Sequence, residues 1–164
     1  MKRPTPLRKG DKIGIIAPSS PPLKERIEPA IEFFRSLGLI PVIAGDLHSN
    51  LYGYLCGDDA SRAAQINNMF RDQTIKGLFA IRGGHGASRI LDKIDYELIE
   101  QNPKIFAGYS DITALHNIIN QRCKLITYHT PMAAAELYKP VDQYTLDYFK
   151  QCIFESSPSF QIEN

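Results

Sequence analysis

The chain has 164 residues, of which 43% are hydrophobic and 23% are charged, and its formal net charge at pH 7 is +1. This length suits one domain with a sizeable core, and the near-neutral charge argues against an electrostatic grip on nucleic acid or an anionic membrane. We therefore expect a small-molecule or peptide ligand, with no nucleic acid and no membrane as partner.

The cysteines and the N-terminus indicate the compartment. Cys56, Cys123 and Cys152 are odd in number and widely spaced, which predicts neither a disulfide framework nor a zinc site. The basic start of the chain is followed by a short apolar stretch at residues 13–17, and no run approaches the roughly 20 apolar residues of a membrane span. We expect a cytoplasmic protein without a signal peptide, a metal or a cofactor.

The first predicted elements are a strand, a helix and a second strand. An isoleucine-rich run at residues 12–18 has the form of a strand buried on both faces. Apolar residues then recur at helical spacing over residues 23–37, where Pro29 is a candidate kink. Residues 39–44 predict the second strand.

The middle of the chain repeats this alternation. Asp58 or Asp59 is placed to cap a helix that extends to about Phe70, and residues 75–82 predict a third strand. The run "GGHGAS" at residues 83–88 then opens a further helical piece.

The remaining elements continue the pattern to the end of the chain. Residues 104–109 predict a fourth strand, residues 111–121 a helix, residues 124–129 a fifth strand, and residues 141–154 a last helix. Strands and helices in alternation predict an α/β protein of three layers, in which a mostly parallel sheet carries helices on both faces.

Residues suited to chemistry follow four of the predicted strands. They lie in "PSS" after the first strand, "RGGHG" after the third, "YSD" after the fourth and "HTPM" after the fifth. Because the carboxyl ends of parallel strands share one edge of a sheet, we expect these four loops to converge there.

The glycine pair in "IRGGHG" has two interpretations. Paired glycines after a buried strand allow positive φ angles or a close approach of backbone N–H groups to an anion, and they are equally common in plain tight turns. The run does not match the glycine patterns of dinucleotide-binding or P-loop proteins, which disfavours a nucleotide ligand.

Ser110, in "AGYSDIT", is the candidate nucleophile. The segment resembles a strand–turn–helix that exposes a reactive serine, although Ile112 replaces the second glycine of that motif. On these residues alone, a structural role in which Ser110 or Asp111 caps the following helix is the favoured alternative.

A base for this serine is not evident from the sequence. His116 would lie about 240° around and about 9 Å along an ideal helix from Ser110, so it cannot serve. His85 and His129 can both reach the same sheet edge, as candidate bases or as ordinary loop residues.

Five segments together resemble the LD-carboxypeptidase family, serine peptidases that include the murein tetrapeptide carboxypeptidases and the microcin C self-immunity peptidase. The segments are "KGDKIGIIAPSSP", "YGYLCGDDASRAAQINNMFRD", "IKGLFAIRGGHGASRILDKID", "PKIFAGYSDITALHN" and "LITYHTPM". The resemblance runs from Asp11 to about Phe160. His85 departs from it where an aromatic residue is common, and Thr130 departs where glycine is common.

The resemblance implies roles for individual residues. Ser110 would be the nucleophile, and the backbone N–H groups of Asp111 and Gly84 would form the oxyanion hole. Substrate contacts are expected at Arg82, Gly83, His85, Tyr109 and His129.

The resemblance also implies the organisation of the protein. The fold would be class I glutamine amidotransferase-like or flavodoxin-like, with residues 1–153 as the nucleophile-bearing domain and residues 154–164 as the start of an interdomain linker. Family members continue into a second domain that supplies a catalytic glutamate and histidine, and that domain is absent here. We expect a homodimer as an alternative to the monomer, because the face that would meet the missing half is exposed.

The expected activity follows from this organisation. The intact enzyme would cleave the amide bond between an L-centre and a C-terminal D-amino acid in muropeptides during murein recycling, and the isolated chain would be nearly inactive. The alternatives are a non-catalytic peptide- or anion-binding module that retains the same cleft, and a purely structural role.

Overall fold

The computed structural model describes residues 1–155. Its strands are β1 (Lys12–Ile16), β2 (Ile40–Ile43), β3 (Ile75–Ala80), β4 (Ile105–Gly108) and β5 (Tyr128–His129). Its α-helices are α1 (Lys24–Ser36), α2 (Asp59–Arg71), α3 (Tyr96–Gln101), α4 (Thr113–Cys123) and α5 (Gln143–Phe154). Most of the predicted linker, residues 156–164, lies outside the described residues.

The five strands form one sheet in the order β2-β1-β3-β4-β5, and every neighbouring pair is parallel. This is the strand order of flavodoxin-like sheets, in which ligands bind outside the carboxyl ends of the strands where the winding reverses. The reversal lies between β1 and β3. The predicted parallel α/β architecture is confirmed.

Two apolar layers cover the two faces of the sheet. On one face, α1 and α5 contribute Phe34 and Phe149, whose rings pack against Phe79 of β3. On the other face, α2, α3 and α4 cover the alternate residues of the same strands, and Phe70 stacks on Phe106 of β4. Consecutive strand side chains point to opposite faces, so uniformly apolar strands require helices on both sides.

The two predicted features of the first helices have different outcomes. α1 continues through Pro29 as one helix from Lys24 to Ser36. Asp58 caps α2, because its Oδ1 accepts a hydrogen bond from the Ser61 N–H at 2.7 Å.

Two predicted elements differ from those observed. The fifth strand is only two residues long, because the backbone before it bonds to the N-terminal segment: Lys2 donates to the Lys124 carbonyl, and the Ile126 N–H donates to Lys2. The helical piece after the glycine pair is a 3-10 helix, Ala87–Lys93, and the short α3 follows it. A π-helical turn at Ala133–Leu137 was not predicted.

Candidate active site

The loops after β1, β3 and β4 meet at the carboxyl edge of the sheet. The Ser19 hydroxyl donates to Oδ2 of Asp111 at 2.6 Å, and the Ala87 N–H donates to the same oxygen at 2.8 Å. The Ser20 hydroxyl oxygen accepts from the His85 N–H at 3.1 Å. Three segments that are far apart in the chain are therefore joined by hydrogen bonds at one place.

Ser110 lies at the tip of the turn between β4 and α4. Its φ angle is +61°, its side chain is exposed, and its hydroxyl has no hydrogen-bond partner within residues 1–155. Left-handed backbone is unfavourable for a residue with a Cβ atom, and such residues concentrate at functional sites. The turn thus presents the hydroxyl to solvent at the expense of local backbone strain.

The helix-capping interpretation of Ser110 and Asp111 is wrong. The 3-10 turn Ser110–Ile112 and α4 have no capping side-chain hydrogen bond, and the Asp111 carboxylate instead binds Ser19 and Ala87. Asp111 therefore holds the serine turn against the two neighbouring loops.

The glycine pair lies directly beside Ser110. A methyl group built on Gly83 would lie 3.1 Å from the Ser110 Cβ, and one on Gly84, whose φ is +118°, would collide with the Ser20 side chain. The N–H groups of Gly84 and Asp111 have no hydrogen-bond partner within the described chain. Two free amide donors thus flank the exposed serine.

A buried arginine supports these loops from behind. The side chain of Arg62 has 0% relative exposure, and its guanidinium donates to the carbonyls of Pro18, of Gly57 at 3.2 Å and of Gly86 at 2.8 Å, and to the Asp59 carboxylate. Sequence reasoning missed Arg62. An arginine at an otherwise apolar helical position in "ASRAAQI" is the signal that could have found it.

Glu136 is a second residue that the sequence did not indicate. Its carboxylate accepts hydrogen bonds from the Tyr109 hydroxyl and from the Met132 N–H, the latter at 2.9 Å. The hydrogen bond to Glu136 and partial burial raise the pKa of Tyr109, so this phenol stays protonated near neutral pH. The π-helical turn and the serine turn are joined by this pair.

The three histidines considered as bases for Ser110 differ in burial and in their contacts. His116 is buried, its Nε2 lies 2.9 Å from the Gly108 carbonyl oxygen, and burial lowers its pKa. His129 and His85 are exposed, and their rings contact Tyr109 and Tyr54 at centroid distances of 5.6 and 5.7 Å.

A cleft of about 240 Å³ opens beside the serine. Five of the predicted site residues line it: Arg82, Gly83, Gly84, Tyr109 and Ser110. His85 and His129 are not among its lining residues, and Asp111 lies behind the serine turn.

The described residues contain neither a metal-binding group of side chains nor a helix suited to a membrane. Within residues 1–155, no three His, Cys, Asp or Glu side chains are grouped so that they could hold a metal ion. Over the same residues, no helix is both long enough and apolar enough to span a bilayer.

The strand order and the strained serine turn define a doubly wound α/β protein with the strand–turn–helix arrangement that serine hydrolases use to expose a nucleophile. The chain belongs to the LD-carboxypeptidase family, because the family model described as "LD-carboxypeptidase N-terminal domain" matches residues 13–130.

Individual relatives agree with this assignment. The chain is 41% identical over 162 residues to a "Probable murein peptide carboxypeptidase" of Bacillus subtilis, covering 98% of this chain and 50% of that protein. It is 33% identical over 129 residues to the "Microcin C7 self-immunity protein MccF" of Escherichia coli, covering 77% and 37%. A crystal structure of an MccF-like protein from Bacillus anthracis superposes with a TM-score of 0.89 at 33% identity, covering 94% and 48%. The chain therefore spans about half the length of the two Bacillus proteins and 37% of the Escherichia coli protein.

Proposed function

We propose that this chain is the N-terminal, nucleophile-bearing domain of an LD-carboxypeptidase-like serine hydrolase. The intact protein cleaves the amide bond between an L-centre and a C-terminal D-amino acid of a muropeptide, in cytoplasmic murein recycling. The observation that carries the proposal is the exposed, left-handed Ser110 beside the Gly83–Gly84 turn. The name of the Bacillus subtilis relative supports the substrate class.

The proposed reaction begins at Ser110. The base takes the proton of the Ser110 hydroxyl as Oγ attacks the carbonyl carbon of the scissile amide. The C–N bond then breaks, the base passes the proton to the leaving amine, and an ester to Ser110 remains. Water then hydrolyses the ester and restores the serine hydroxyl.

The amide donors of Asp111 and Gly84 stabilise the negative oxygen of the tetrahedral intermediate. Both N–H groups are free of partners in the described chain, and the loss of one such donor typically costs about 3 kcal/mol of barrier. The Asp111 side chain and Arg62 fix the loops that carry these donors, which keeps their orientation constant during the reaction.

In this proposal the base lies outside residues 1–155. The Ser110 hydroxyl has no partner within residues 1–155, and a serine without a base is a weak nucleophile. We propose residues 1–153 as the nucleophile domain of a longer protein, whose second half supplies a glutamate and a histidine. The isolated chain is therefore nearly inactive.

The substrate lies in the cleft beside Ser110. Arg82, Gly83 and Tyr109 contact it there, while His85 and His129 contact its more distant parts from the rim.

The test compares D-alanine release from a murein tetrapeptide by the longer protein and by the 164-residue chain. We expect release by the longer protein, none after Ser110→Ala, and normal release after Ser36→Ala, which removes an exposed hydroxyl at the end of α1. Activity that survives Ser110→Ala would contradict the proposal. Robust release by the short chain would show that the base is internal, with His129 or His85 as the candidate.

The free Ser110 hydroxyl also suits a second candidate, a non-catalytic module that binds peptides or anions in the same cleft. Calorimetry distinguishes the two, because carboxypeptidase ancestry predicts binding of muropeptides in preference to phosphate.

A further inference from the structure

The cleft beside Ser110 has an unbalanced charge. Arg26, from the first turn of α1, and Arg82, from the loop after β3, are the charged side chains that line it, and no carboxylate does. Neither guanidinium takes part in an ion pair within residues 1–155. Two positive charges thus face the same small space without a negative partner from the described chain.

Two carboxylates of the adjoining loops, Asp111 and Glu136, are already bound elsewhere, and Glu25, beside Arg26 in the first turn of α1, does not line the cleft. Asp111 accepts from the Ser19 hydroxyl and the Ala87 N–H, and Glu136 accepts from the Tyr109 hydroxyl and the Met132 N–H. These bonds keep both carboxylates occupied, so they are not the partners of the two arginines.

Both arginines are held in place by neutral groups. Nη1 of Arg82 donates to the Pro21 carbonyl at 3.1 Å, and the Arg26 guanidinium lies over the Tyr138 ring at 4.5 Å from its centroid. Lys139, whose Nζ lies 5.8 Å from the same ring, adds positive charge nearby. Each guanidinium keeps further N–H donors, and its planar fork matches a carboxylate.

The helix that carries Arg26 adds positive electrostatic potential to the cleft. Leu23, the N-cap residue of α1, also lines the cleft and has no side-chain oxygen to accept from the first turn of the helix. The positive end of the helix dipole therefore lies at the cleft as well.

The remaining walls set the size of the group that the cleft accepts. Leu23, Tyr109 and Met132 form the larger walls, and at Gly83, Gly84, Ala134 and Ala135 no side chain is larger than a methyl group. A small residue with a free carboxylate fits both the space and the charge.

We propose that Arg26 and Arg82 form the subsite that binds the free α-carboxylate of the small C-terminal residue released by the reaction. This inference rests on the proposed function and adds to it the residues that make the enzyme a carboxypeptidase. An internal peptide bond places a neutral amide where the two arginines need a negative charge, so the site discriminates against it.

The test uses the longer protein that contains this chain and a pair of tetrapeptides that end in D-alanine or D-alaninamide. We expect the unmodified protein to prefer the free carboxylate by about 100-fold in kcat/KM, in line with charge-assisted hydrogen bonds. Arg26→Met and Arg82→Met should each lower kcat/KM for the carboxylate by about 10-fold or more, mainly through KM, and should lower cleavage of the amide by a clearly smaller factor. The preference should therefore shrink.

The matched control is Arg35→Met. Arg35 is exposed on the same helix, binds Glu28 and Glu32, and does not line the cleft, so its loss should leave the preference unchanged. Binding of both peptides to the Ser110→Ala protein, measured by calorimetry, should show the same loss of carboxylate preference without turnover.

The outcomes separate this inference from the proposed function. If the unmodified protein cleaves neither peptide, the proposed function fails and this subsite fails with it. If it cleaves the carboxylate peptide but the preference survives both arginine substitutions, or was never present, only the subsite is refuted. If a methionine variant does not fold, Arg26→Lys and Arg82→Lys test the subsite instead. Lysine keeps the positive charge but lacks the planar fork of donors, so it should still weaken binding of the carboxylate peptide alone.

Discussion

The strained backbone at Ser110 predicts that replacing this serine with glycine makes the chain more stable. A left-handed residue with a Cβ atom costs roughly 1–2 kcal/mol, and Ser110 has a φ angle of +61°. Glycine removes that cost, but its greater freedom in the unfolded chain destabilises the folded state by about 0.4–1 kcal/mol. The net gain for Ser110→Gly is therefore about 0.5–1 kcal/mol.

Ser110→Ala is the control for this prediction. Alanine keeps the Cβ atom and therefore the strain, and the lost hydroxyl is exposed and has no hydrogen-bond partner in residues 1–155. We expect its stability to lie within about 0.5 kcal/mol of the unmodified chain.

Urea unfolding and thermal unfolding of the three proteins, both followed by circular dichroism, measure these differences. At the size of this domain a gain of 1 kcal/mol corresponds to a Tm increase of about 2–4 °C. If Ser110→Gly is no more stable than Ser110→Ala, the turn carries no strain, and Ser110 is not held in an unfavourable conformation for function.

Two further predictions concern buried cations. Arg62→Met should lower the free energy of unfolding by about 3 kcal/mol or more, because it leaves the carbonyls of Pro18, Gly57 and Gly86 without their donor. The control Arg89→Met removes an exposed partner of Asp59, which Arg62 also binds, and should leave the urea midpoint nearly unchanged. Equal midpoints for the two variants would show that Arg62 does not support the site loops. Burial lowers the pKa of Lys104 to about 8, so the folded chain binds fewer protons than the unfolded chain between about pH 8 and 10.4. Below that window the buried charge of Lys104 lowers the free energy of unfolding by its full amount. As the pH rises through the window, this loss of stability disappears. The free energy of unfolding should therefore rise across the window relative to Lys104→Met, and an NMR titration of the Lys104 side chain with a midpoint above 10 would contradict this.

The alternation of elements could be predicted from the sequence because it depends on local patterns. Uniformly apolar runs such as residues 12–18 belong to strands covered on both faces, and the helical spacing of apolar residues marks α1, α2 and α4. The convergence of the loops after β1, β3 and β4 followed from the parallel sheet alone.

The fifth strand shows where local patterns are insufficient. Residues 124–127 have a strand-like composition, yet their backbone groups bond to Lys2 at the other end of the chain. No local signal reports a partner that is more than 100 residues away in sequence.

For the candidate site, too, local sequence patterns predicted the residue types, but not their contacts. Ser110, Asp111 and the glycine pair were candidates from their residue types and from a resemblance to the LD-carboxypeptidase family, but whether they cap a helix or face a cleft depended on what bonds the Asp111 carboxylate. Ser19 and Ala87 bond it, and only the tertiary structure brings them there.

The sequence by itself therefore determined which residues can do chemistry and at which edge of the sheet they lie, because strand composition and chain order are local properties. The tertiary structure alone decided the positive φ of Ser110, the role of buried Arg62 and the meeting of Arg26 with Arg82, because each of these depends on contacts between segments that the chain order separates.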